Sequence, residues 1–169
     1  MLVTVRGFTP QVGQGCYLAP NATLVGDVVL GDRCTVWFNA IIRGDVHSIR
    51  IGNETNIQDG TVVHATYQRC GTHIGNRVSV GHSVILHGCE VGDGTLIGMG
   101  SILMDLSKIG KHCLVGAGSL VTEESVFEDG WLIYGRPAKA VRKLTDQEIA
   151  RLEKSADNYL FYKGWYETR

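Results

Sequence analysis

The stretch VGHSVILHG (80–88) places His82 and His87 five residues apart, and a third histidine, His64, closes VVH (62–64) upstream. Three neutral imidazoles around an open fourth position are the usual protein shell of a hydrolytic zinc centre. A metal held that way acidifies its water and supplies hydroxide near neutral pH. The spacing shows that no single element presents both members of the pair. Helix neighbours on one face lie three or four apart, and strand neighbours on one face an even number apart. Taken singly, each histidine is more often a surface or capping residue. The pattern around them decides.

Aliphatic residues recur every six positions: Leu18, Leu24, Leu30, Val36 and Ile42, then, after an insertion, Ile51, Ile57 and Val63. A longer break precedes Ile74, Val80 and Leu86, and a one-residue deletion precedes Val91, Ile97, Leu103, Ile109, Val115 and Val121. Glycine follows the aliphatic residue at several of these places, Gly31, Gly52, Gly75, Gly81, Gly92 and Gly98 among them. The chain holds 22 glycines against 3 prolines, which suggests many tight corners in a regular structure. Period six fits neither an amphipathic helix nor unbroken strand alternation. It predicts a three-sided solenoid in which each hexad is one short strand and one corner. Three hexads close a coil, and coils stack by strand pairing at about 4.8 Å. Stacking buries a column of Leu, Ile and Val that no single coil buries alone.

Phase then sorts the histidines. His64 follows Val63 and His87 follows Leu86, and these two aliphatic residues are three hexads apart. The histidines therefore sit one above the other on one face. One coil further back, the same phase reaches Arg43, with Asp45 two residues on. His82 stands two residues after Val80, on the preceding face, in phase with Asp59 and beside Gln58. Within one chain His82 points away from the other pair. A cyclic assembly of three prisms packs one face against the adjacent face of the next copy, a heterologous contact that closes. The expected metal ligands are thus His64 and His87 from one copy and His82 from the next.

The rest of the chain bounds the function class. At 169 residues it is about one domain, expected as a β-helix over 1–135 with a linker and C-terminal helix over 136–169. A net charge of −1 provides no basic field for nucleic acid. No apolar run approaches the ~20 residues that span a bilayer, and the N-terminal stretch lacks the pattern of a signal peptide. The expected location is cytoplasmic. Five cysteines without CxxC spacing read as small buried hydrophobes, with Cys70 set apart by its loop position near the histidines. In LTDQEIARLEKSADNYLFYKGWY, Thr145 and Glu148 form a capping box. Ile149, Leu152, Ala156, Tyr159 and Leu160 then follow helical spacing. GRPAKAVRK (135–143) reads as the link.

The hexads resemble the hexapeptide-repeat family, whose units form left-handed parallel β-helices. IRGD (42–45), NIQDG (56–60), VVH (62–64), VGHSVILHG (80–88) and IGMGS (97–101) together resemble the gamma-class carbonic anhydrase family, over about residues 12–135. The tail resembles its short bacterial members. The resemblance implies a homotrimer with zinc, iron(II) or cobalt(II) held by His64, His82 and His87, and CO2 hydrated to bicarbonate by metal-bound hydroxide. It implies that Gln58 bonds near the metal-bound water. Arg43, Asp45 and Asp59 then form an ion-pair and hydrogen-bond network at the interface, which would equally serve assembly alone. Tyr159 reaches the pocket or is simply core. The founding enzyme carries glutamates after the Arg-x-Asp stretch and in an acidic loop after the first histidine. Here Val46 and ATYQRCGTH (65–73) occupy those places, leaving His47 and His73 as substitutes for proton transfer. Two alternatives stay open: an acyl-CoA thioesterase using the same metal, and a weakly active trimeric metal-binding scaffold.

Overall fold

The computed structural model describes residues 1–167 as a parallel β-solenoid of about seven turns, followed by one helix, Asp146–Glu167. The predicted hexad phase is the observed register. Leu18, Val36, Ile57, Val80, Ile97, Val115 and Ile133 pair in succession along one face. Leu24, Ile42, Val63, Leu86, Leu103 and Val121 do so along the second. Leu30, Ile51, Ile74, Val91, Ile109 and Phe127 form the third. Nearly all of these side chains are buried, and each fully buried Leu or Ile contributes about 1.5–3 kcal/mol relative to exposure.

The glycines that follow the aliphatic positions do something other than turn corners. A Cβ on Gly81 would stand 2.8 Å from the backbone nitrogen of Met99 and 2.9 Å from the carbonyl oxygen of Ile97. This residue is glycine because the next coil passes directly over it. The left-handed corner conformation is instead taken at several corners by charged residues: Arg33, Glu54 and Arg77 have φ of 55°, 57° and 54°. They stack as an ion ladder, Arg33 to Glu54 to Arg77, and Arg77 reaches Asp157 of the helix at 2.7 Å.

The breaks in the repeat are local. Gly26 pairs with Gly44 and Val28 with Ile49, so Asp27 alone faces the four residues Asp45–Ser48. Asp45, the first residue of this bulge, is half-buried within the long strand Ile41–Ile51. The longer break is a loop over 65–71, closed on itself by Thr66 N–H donating to the Cys70 carbonyl, after which strand Thr72–Ile74 resumes the register.

Outward positions differ between faces. The face of the second column carries Ile41, Val62, Ile85, Ile102 and Leu120 in register, with Ile41 and Ile85 exposed. That of the first carries Leu96, Leu114 and Leu132. The third carries Arg50, His73, Glu90 and Lys108.

Residues 135–143, read from sequence as a linker, are mostly a strand. Ala138–Lys143 returns antiparallel along Trp131–Gly135 and covers the end of the solenoid. The helix begins with the expected capping box: the Thr145 hydroxyl accepts from Glu148 N–H and the Glu148 carboxylate from Thr145 N–H. Leu152 and Ala156 are buried against the solenoid. No helix among the described residues is long and apolar enough to cross a membrane.

Candidate metal centre

On the second face Val25 pairs with Arg43 and His64 with His87, and the residues just before Arg43 and His64, Ile42 and Val63, pair with each other. His64 and His87 are direct partners in adjacent coils, with ring centroids 5.2 Å apart. His64 Nδ1 and His87 Nε2 approach to 3.2 Å. Each outer nitrogen faces a carboxylate: His64 Nε2 lies 3.1 Å from Asp45, and His87 Nδ1 lies 2.6 Å from Asp105. Arg43 donates to the second oxygen of Asp45 at 2.5 Å.

Charge states follow from these contacts. Burial pushes the Asp45 carboxyl up, but hydrogen bonds from Arg43 and His64 outweigh it and hold the group below its ordinary range. Asp105 behaves alike, with Thr66 and His87 as its donors against burial. Burial pushes His64 down, towards the neutral imidazole that a metal ligand must be. A neutral ring carries one N–H. With both N–H groups donated outward to Asp45 and Asp105, the inner nitrogens present two lone pairs to one point. A tetrahedral zinc with Zn–N near 2.0–2.1 Å separates its ligand nitrogens by about 3.3 Å. The observed 3.2 Å and the paired lone pairs fit a divalent cation.

His82 lies on the other face, with Nδ1 2.9 Å from Asp59 and about half its side chain exposed. Among the described residues, no three His, Cys, Asp or Glu side chains of one chain converge on a metal position. Gln58 is buried nearby, and its amide nitrogen donates to Asn56 at 3.0 Å. Asn56 in turn donates to Ser79 at 2.8 Å, so the amide's orientation is held from below. Tyr159 lines a cavity of about 220 Å3 with Asp59, Trp37, Phe38 and three further helix aromatics. Its ring packs edge-on to Trp37, and burial, then the charge of Asp59, push its hydroxyl up to about 12.

Of the substitute proton groups, His73 stands on the charged third face, among Arg50 and Glu90. His47 shares a cavity of about 410 Å3 with Asp45. Cys70 is buried beside Gly88, and its thiol is pushed up by burial and by Asp105. The residue that the sequence reading missed is Asp105. Its signal was indirect: one coil forward from His87 reaches Met104 and then Asp105.

A family model described as bacterial transferase hexapeptide (six repeats) matches residues 9–44 and 71–105. The chain is 42% identical over 164 residues to the protein named gamma carbonic anhydrase 2, mitochondrial, of Arabidopsis thaliana, covering 94% of this chain and 59% of that one. It therefore spans less than two thirds of that relative's length. It is 40% identical to a protein named carbonic anhydrase of Geobacillus kaustophilus, covering 100% of this chain and 94% of that one. The solved structure of a hexapeptide transferase family protein from Anaplasma phagocytophilum superposes with a TM-score of 0.92 at 41% identity, covering 98% of each chain. The chain belongs to the gamma-class carbonic anhydrase-like family of hexapeptide-repeat proteins.

Proposed function

We propose that the protein is a homotrimeric, metal-dependent carbonic anhydrase that interconverts CO2 and bicarbonate at sites between subunits. The observation that carries this reading is the facing pair of nitrogens on His64 and His87, each ring held by a carboxylate on its outer side. His64 and His87 would hold the metal from one copy and His82 from its neighbour. When bound, zinc, iron(II) or cobalt(II) supplies a water acidified to the neutral range as the nucleophile.

The chain's own residues do the rest. Asp45, Asp105 and Asp59 each orient one histidine. Gln58, its nitrogen committed to Asn56, orients the reacting water. Tyr159 and Trp37 wall a cavity that also contains Asp59, the carboxylate facing His82. His47, beside Asp45, is the proton-transfer candidate. Trimer formation is supported by the aliphatic ladders on two adjacent faces while the third is charged, since exposed apolar patches mark association surfaces. Five free thiols suit a reducing cytoplasm.

The test is stopped-flow CO2 hydration by zinc-reconstituted, reduced protein beside the His87→Ala variant. Rapid turnover lost in the variant is expected. No turnover at full zinc occupancy would reject the anhydrase in favour of a thioesterase or a metal-held scaffold.

A further inference from the structure

Asp105 makes more contacts than an ion pair requires. One oxygen, Oδ1, stands 2.6 Å from His87 Nδ1. The other, Oδ2, accepts from the Thr66 hydroxyl at 2.6 Å and from Arg69 at 3.2 Å. Arg69 is held in turn by Glu123 at 2.9 Å. Thr66 and Arg69 belong to the loop that follows His64, and Asp105 and Glu123 come from the two coils beyond His87. Gly88 makes the arrangement possible: a Cβ there would stand 2.5 Å from both Asp105 Oδ1 and the Cys70 sulfur. The side chain is almost wholly buried, with 5% of the residue exposed.

We propose that Asp105 is a positioning residue that fixes the tautomer of His87, and that the 65–71 loop sets its orientation through Thr66 and Arg69. A carboxylate so anchored has only acceptors to offer, so His87 must carry its proton on Nδ1. Its Nε2 is then a bare lone pair aimed at the metal position. This rests on the metal-site reading above, and it gives the loop without carboxylates a role in metal affinity.

The anchoring makes a specific prediction about two substitutions. In Asp105→Asn, the donors Thr66 and Arg69 retain the amide oxygen, which turns the NH2 towards His87. Nδ1 then has to accept, and the proton moves to Nε2, where it blocks the metal. Asp105→Ala removes the director without installing the wrong one. Loss of such an outer partner commonly weakens metal binding about 10–100-fold. We expect that loss in Asp105→Ala and a larger one in Asp105→Asn, measured with Co2+ by calorimetry and by its visible absorption. A role in packing alone gives the reverse order, because alanine leaves a cavity and asparagine does not.

The tautomer itself is read by imidazole 15N shifts in the metal-free full-length chain. Nδ1–H on His87 in the wild type and Nε2–H in Asp105→Asn are expected. Nε2–H in the wild type, or Co2+ held by Asp105→Asn as tightly as by Asp105→Ala, overturns the proposal. Failure of the wild type to bind Co2+ would instead remove the metal reading, and the nitrogen spectra would still decide the role of Asp105.

Discussion

If one metal site draws on two copies, two defective variants should repair each other. His82→Ala removes the ligand from one face, and His87→Ala removes it from the other. Both side chains are partly exposed, at 45% and 35%, so neither truncation opens a core cavity. Each variant alone should hold almost no metal at neutral pH, because every site lacks one of three ligands. In trimers reassembled from an equal mixture, a site is intact only where the copy lending His64 and His87 is His82→Ala and its neighbour is His87→Ala. Random association in a closed ring makes that about one site in four. Metal per chain by elemental analysis, on a peak whose mass is checked by light scattering, should therefore recover to about a quarter of the wild type. A site built within one chain predicts no recovery at any mixing ratio. Mixed trimers without metal, a monomeric mass, or full metal in either single variant would refute the shared site.

Three further outcomes follow from the packing. Leu86→Ala, beneath His87 and fully buried, should cost about 2–5 kcal/mol in denaturant unfolding. Gly81→Ala should lower both thermal stability and metal content, since its Cβ meets the backbone of the next coil at 2.8 Å and His82 is the following residue. Tyr159 has its folded pKa raised to about 12, against about 10 for an unfolded tyrosine. Its ionisation therefore favours unfolding only above about pH 10, and the effect grows until about pH 12. Tyr159→Phe should flatten the fall in melting temperature over that window and leave it unchanged at neutral pH.

The columns of the solenoid were legible because a six-residue period leaves no other way to bury its aliphatic residues. Val63 and Leu86 are separated by 23 residues and a broken repeat, yet phase alone placed His64 against His87. What phase could not supply was anything that depends on where a loop folds back. Thr66 and Arg69 lie in the longest break of the repeat, so no count assigns them a face, and their contacts to Asp105 exist only through the turn closed by Cys70. Residues 138–143 failed for a related reason: they lie past the last coil, where strand pairing is antiparallel and the hexad rule has no next turn to predict. Asp105 differs from both. It sits one coil above His87 but one residue past the in-phase position, which Met104 occupies, so strict phase does not point to it. The carboxylates that face His64 and His87 stand on an adjacent coil within a residue or two of the imidazole's own phase. In a solenoid, each side chain at a site is therefore best read with the coil on either side of it.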